Sequence, residues 1–350
     1  LPSLADRLFA RLVRRQPLFW GGWGDESYVE AVRTRATRFE SAPPAAVHYT
    51  PLRADLGGLV RHGRFLSPMK RLEGRTRRGA VLRIDPPRGV PVKGAFVALA
   101  GAGEEGYTLR RMLWSPLVEE GYTAVFLENP FYGTRRSPRQ RTVAVETVAE
   151  HLTLSAAVVA ESCALLGHLE QEGFSQLGIA GFSMGAFHTA LVAAVFQRPL
   201  AVATLAGGVC PKDVFTESLF ARSVPFAALG RHGEAVEETR ARVKETFGIT
   251  VEEYERPPLP AAFRCVGLLR DGFVAAEETR RLATWVGAPE PIWIDAGHTD
   301  GLVRARRALR QALREAFETL KKSSKLRHRA RFLAGGGAAA EGAPGALFGP

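Results

Sequence analysis

A serine stands between two glycines in Gly181-Phe182-Ser183-Met184-Gly185, after the short apolar run Leu177 to Ala180 and before a long Ala-rich stretch with helical spacing. The G-x-S-x-G pattern alone is unspecific, and its setting gives it meaning. A serine nucleophile must be presented on a tight strand-to-helix turn, where its own backbone is strained and the flanking glycines avoid collision. The helix behind it offers an N-terminus that favours developing negative charge. These residues predict acyl-transfer chemistry at Ser183.

An attacking serine needs a base, and the base needs an acid that orients it, each on a loop after a later strand in the order Ser, acid, His. Arg264 to Leu269 reads as a strand, and Asp271 lies just beyond its end. Pro291 to Ile294 reads as the last strand, followed by Asp295-Ala296-Gly297-His298-Thr299. Asp271 is therefore the expected acid and His298 the expected base. The other histidines fail on position. His188 sits inside the helix after the serine, His151 and His168 are mid-helix, His232 lies in an insert and His328 in a basic tail. Asp295 and Asp300 are better suited to shaping the turn or capping the final helix.

Acyl transfer also needs two donors where the tetrahedral oxyanion forms. The backbone N–H of Met184 is one candidate. The loop Leu99-Ala100-Gly101-Ala102-Gly103-Glu104 follows an early strand, and its small residues let backbone approach a substrate, so Ala102 is the expected second donor with Gly101 and Gly103 beside it.

These loops need a scaffold, and the chain supplies one pattern repeatedly. Ala95 to Ala100, Thr123 to Leu127, Leu177 to Ala180, Ala201 to Leu205, Arg264 to Leu269 and Ile292 to Ile294 are strand-length apolar runs. Amphipathic helical stretches separate them, at 110–120, 143–172, 184–196, 276–286 and 301–320. Such alternation predicts an α/β fold, a mostly parallel sheet with helices on both faces. Extended runs between Ala45 and Pro87 predict antiparallel edge strands. The predicted organisation is an N-terminal helical extension over 1–45, a catalytic domain over 46–320 with a helical cap insert at about 212–260, and a tail over 321–350 that is first basic, then Gly/Ala-rich and disordered.

With 350 residues and 46% hydrophobic content, the chain is long enough for one large core, and disorder over most of its length is excluded. Its net charge is +11, and residues 321–350 carry six basic side chains against the single acid Glu341. Charge of that kind favours anionic surfaces in general. Three cysteines embedded in apolar sequence argue against a disulfide framework and for an intracellular setting. No stretch approaches the roughly 20 apolar residues of a membrane span, so a soluble protein is expected. Leu4, Leu8, Phe9, Leu12 and Val13 recur at helical spacing among Arg7, Arg11, Arg14 and Arg15. They predict a helix packed on the domain, with a membrane-surface or targeting helix as the alternative.

Several segments together resemble the α/β-hydrolase domain-containing protein 18 family: Gly21 to Gly24, Gly63 to Met69, the loop Leu99 to Gly103 with Tyr107, Arg110 and Arg111, the run Glu128-Asn129-Pro130-Phe131-Tyr132-Gly133, and the serine turn. The run from Glu128 is the most specific of these. Ala186 stands where a second glycine is expected. The resemblance implies an α/β-hydrolase fold with its nucleophile at Ser183 and its acid and base at Asp271 and His298. It also implies a mitochondrial or membrane-associated setting in eukaryotes and a lipid-type acyl ester as substrate.

Arg135, Arg136, Arg139 and Arg141 follow the Glu128 run, at the carboxyl end of a central strand. The expectation is an anionic acyl ester, a phospholipid for preference, with its head group near Arg110, Arg111, Arg135 and Arg136, its acyl part against the insert, and Tyr132 among the substrate-binding residues. The chemistry needs no cofactor and no metal, and neither metal-ligand spacing nor a phosphate loop is present. No nucleic-acid partner is expected. Localisation is expected to be cytoplasmic or peripheral to an intracellular membrane. Acyl transfer to an alcohol or amine, or a non-catalytic scaffold that binds anionic membrane, are the alternatives.

Overall fold

The structure is a computed structural model that describes residues 1–13, 17–55, 58–138, 140, 142–230 and 233–335. Arg14, Arg15, Arg139, Arg141, His232 and the Gly/Ala-rich end from Gly336 lie outside the described residues.

Among the described residues ten strands form one sheet: β1 (His48–Tyr49), β2 (Arg53–Asp55), β3 (Gly58–Leu66), β4 (Arg78–Asp85), β5 (Gly94–Leu99), β6 (Tyr122–Leu127), β7 (Leu177–Phe182), β8 (Ala201–Leu205), β9 (Phe263–Leu268) and β10 (Ile292–Ile294). Their order is β1-β3-β4-β6-β5-β7-β8-β9-β10, with β2 paired to β3. From β6 to β10 every pairing is parallel, while β1, β2, β3 and β4 join antiparallel at one edge. The central strands β5, β6, β7 and β8 are buried along nearly their whole length, which is why they read as continuous apolar runs rather than alternating ones.

The helices are α1 (Leu4–Val13), α2 (Glu26–Arg33), α3 (Thr108–Glu119), α4 (Val148–Gln171), α5 (Met184–Phe196), α6 (Lys212–Thr216), α7 (Phe226–Leu229), α8 (Val236–Thr246), α9 (Ala276–Val286), α10 (His298–Arg304) and α11 (Arg306–Gly335). One core unites α4, α5, α9 and the insert on one face of the sheet, and a second holds α3 and α11 against the other. α4 starts at a capping box, in which the Glu150 N–H donates to Thr147 Oγ1 at 3.1 Å and the Thr147 N–H donates to Glu150 Oε2 at 3.0 Å.

Two expectations are corrected. The helix expected to end at Leu320 runs on to Gly335, so the basic stretch after Lys321 is helical. Its Lys, Arg, Leu and Ala residues are good helix formers and prolong a helix already held to the sheet by Leu309, Leu313, Phe317 and Leu320. Against the expectation that no stretch approaches a membrane span, α4 is long and apolar enough to cross one. Most of it is nevertheless buried inside the fold, as a core helix.

Candidate active site

β7 delivers Ser183 into a turn whose backbone is strained, with φ at +57° and ψ at −123° for a residue that has a side chain. Such a turn closes only if its neighbours are bare. A Cβ on Gly181 would lie 2.3 Å from the Gly185 carbonyl oxygen, and one on Gly185 would lie 2.8 Å from the carbonyl oxygens of Leu99 and Ala100. The two glycines thus let α5 fold back against β7 and against the loop after β5.

Ser183 Oγ lies 2.8 Å from His298 Nε2, and His298 Nδ1 lies 2.7 Å from Asp271 Oδ2. The other Asp271 oxygen, Oδ1, accepts from the Phe273 and Val274 N–H groups at 2.7 and 2.9 Å. The imidazole is held between the rings of Phe182 and Phe273, each with its centroid 4.9 Å away. Ser183, His298 and Asp271 therefore stand in one chain of hydrogen bonds, at the carboxyl ends of β7, β10 and β9. An ordered Ser–His–Asp relay of this kind can generate a nucleophile. Asp295 does not compete for the imidazole. It is exposed and pairs with Arg270 at 2.6 Å. Asp300 reaches back to accept the Gly297 N–H at 3.0 Å, fixing the start of α10.

The loop carrying Gly101, Ala102 and Gly103 lies against the serine turn, since a Cβ on Gly101 would meet Phe182 at 3.5 Å. Met184 is the first residue of α5, so its N–H is one of the helix's unpaired N-terminal donors.

The residues expected to bind substrate beyond the glycine loop divide. Arg135 is fully buried, and its guanidinium donates to Glu161 Oε1 and Oε2 at 2.6 and 2.7 Å and to the Thr76 and Glu128 carbonyls at 2.7 Å. It cannot reach a substrate. Arg110 is also buried, donating to the Ala98 and Leu127 carbonyls at 2.8 and 2.7 Å and to Glu104 at 2.7 Å, so it ties together the ends of β5 and β6. Tyr132 is buried with its hydroxyl on the Gly103 backbone, and burial pushes that hydroxyl up to about 12. It braces the glycine loop from behind. The physical reasons differ: the loop after β6 carries Tyr132 and Arg135 into the core instead of following the rim, while Arg110, in the first turn of α3, faces the strand ends beneath that helix. Arg111 and Arg136 remain about one-third exposed, paired with Asp55 and Glu105.

Sequence reasoning missed Phe182 and Phe273 as walls for the imidazole, although both adjoin the predicted residues. It also missed Asp6, whose carboxylate accepts backbone N–H groups from both the acid and histidine loops.

The family model described as alpha/beta hydrolase domain containing 18 matches residues 16–247. That span holds Ser183 and the loops after β5 and β6, while Asp271 and His298 lie beyond it. Among solved structures, the chain is similar to acetyl xylan esterase 1 from Thermoanaerobacterium sp. JW/SL YS485, at 13% identity over 87% of this chain and 98% of that one, with a TM-score of 0.54. A cold-adapted esterase from an Arctic intertidal metagenomic library, in a PEG-bound complex, matches at 17% identity over 78% and 99%, with a TM-score of 0.50. The esterase Est22 matches at 14% identity over 76% and 82%, also with a TM-score of 0.50. At these identities the likeness is one of fold.

Proposed function

Since the chain belongs to the alpha/beta hydrolase domain containing 18 family, we propose that it is a serine hydrolase of carboxylic acyl esters working through an acyl-enzyme. The observation that carries this reading is the pair of contacts at His298, 2.8 Å to Ser183 Oγ and 2.7 Å to Asp271 Oδ2. His298 takes the Ser183 proton as Oγ attacks the ester carbonyl. The Met184 and Ala102 N–H groups hold the oxyanion, and the protonated imidazole returns its proton to the departing alcohol. Water then attacks the acyl-enzyme with His298 again as base, releasing the acid. Acyl transfer differs only in the second acceptor, an alcohol or amine in place of water.

A lipid acyl ester is the favoured substrate class. α1 turns Asp6 and Ala10 inward and leaves Leu4, Leu8 and Leu12 exposed, with Arg7 and Arg11 beside them. An apolar ridge with basic flanks suits the surface of an anionic bilayer, and it lies on the helix that touches the histidine loop. Among the described residues, Arg136 is the arginine that keeps a place for a head group: it follows the carboxyl end of β6 and is held by Glu105 in a partly exposed ion pair of the kind that is weak and exchanges readily, whereas Arg111 pairs with Asp55 on edge strand β2.

A fluorophosphonate probe tests the chemistry. Labelling of the wild type and its loss in Ser183→Ala are expected, and persistent labelling of the variant would refute the assignment. Mass analysis of the products that the unlabelled wild type forms from acyl lipids in anionic and zwitterionic vesicles then separates hydrolysis from transfer, and equal rates on the two would end the anionic-substrate reading.

A further inference from the structure

We propose that Asp6, on the N-terminal helix, is a positioning residue that sets the loops bearing Asp271 and His298 against each other. The inference rests on the Ser183–His298–Asp271 reading above. Asp6 lies outside the stretch matched by the family model and contributes no atom to the chemistry itself.

Its side chain is fully buried. One oxygen, Oδ2, accepts the Gly272 N–H and the His298 N–H, both at 2.9 Å. The other, Oδ1, accepts the Thr299 N–H at 2.8 Å. A single oxygen therefore bridges the residue that follows the acid and the base itself. The anchor is reinforced one turn earlier, where the Ser3 N–H donates to the Arg270 carbonyl at 3.0 Å and Ser3 Oγ accepts the Asp6 N–H at 3.1 Å.

Two features make this more than a packing contact. His298 and Thr299 open α10, where backbone donors have no partner within the helix, and the preceding Gly297 has no side chain to serve them. The chain instead brings a carboxylate from residue 6 to do so. Burial alone would raise the Asp6 carboxyl, but the three backbone donors outweigh it and hold the group below its ordinary value, so a full negative charge sits at the junction. A carboxylate can accept all three bonds. An amide has only one accepting oxygen, and its NH2 would face a donor.

Loss of the charge should let the two loops separate while Ser183 and the glycine loop after β5, which α1 does not hold, stay in place for a soluble ester. A shift of about 1 Å between catalytic groups is worth roughly 10²-fold in rate. Asp6→Asn is expected to lower kcat by about 10- to 100-fold with KM held within about twofold, and to slow fluorophosphonate labelling of Ser183 in proportion. Ser183→Ala is assayed in parallel. If activity survives in Ser183→Ala, the triad reading fails and this proposal with it. If activity is lost there but kcat is unchanged in Asp6→Asn, the positioning role alone fails, even should the melting temperature fall. Hydrogen exchange on the wild type gives a second measurement that needs no variant. Slow exchange of the Gly272, His298 and Thr299 amides supports the bridge, and free exchange overturns it.

Discussion

Asp271 divides its two oxygens between its own loop and the histidine. Oδ1 takes two backbone N–H groups and Oδ2 takes His298 Nδ1. In Asp271→Asn the amide oxygen will stay on the two backbone donors, leaving the NH2 to face Nδ1. That orientation forces Nδ1 to accept, moves the imidazole proton to Nε2 and presents Ser183 with a donor instead of a base. The expected outcome is a fall in kcat on the order of 10⁴-fold with little change in unfolding midpoint, measured by steady-state kinetics beside thermal melts. A fall below tenfold would place the orienting acid elsewhere. At this scale legibility depends on how local a residue's requirement is. Ser183, Gly181 and Gly185 answer one another within five residues, so their pattern is visible in the sequence. Asp271 and His298 are visible because each follows a strand end. Asp6 meets its partners 266 and 292 positions away, and no spacing rule connects a helix near the start of the chain to two loops near its end.

The loop after β6 shows how an element can redirect side chains whose types look unambiguous. A cluster of arginines at the carboxyl end of a central strand suggests an anion site, yet the 3-10 turn at Gly133–Arg135 drops Arg135 onto α4, where Glu161 receives both its terminal nitrogens. A sequence signal did exist on the other partner. Glu161 is the single carboxylate within the apolar stretch from Val158 to Leu169, and a charge buried there requires a cation. Reading α4 for its exception rather than its average would have located the pair. Because both side chains are fully buried, Arg135→Met leaves Glu161 uncompensated, at an expected loss of about 3 to 5 kcal/mol in urea unfolding at neutral pH. The same variant should keep its KM for anionic and neutral esters alike. A selective rise for anionic substrates would restore the head-group role.

Across the whole molecule, the alternation of strands and helices announced the parallel sheet, because strands buried on both faces and helices of regular period leave strong marks. The docking of the insert left none. It is held by aromatic contacts between distant segments: His151 of α4 lies among Phe19, Phe215 and Phe247, its ring centroid 5.2 to 5.8 Å from theirs. Phe19 comes from the N-terminal extension and the other two from the insert, so one neutral imidazole sits where three parts of the chain join. Burial brings His151 down to about 4, and the buried His188 on α5 down to about 3. Between the folded value and the ordinary histidine value of about 6.5, the unfolded chain binds the proton and the folded chain does not, so stability falls as pH falls through that window. For His151 the window runs from about 6.5 to about 4 and represents up to roughly 3 kcal/mol. His151→Phe keeps an aromatic ring in the cluster and removes the titration. Its melting temperature relative to the wild type should be constant above about pH 7 and rise steadily between pH 6.5 and 4. Carboxylates titrate in both proteins and cancel in that difference. Parallel melting profiles for the two would mean that the join between insert and body takes up a proton without opening.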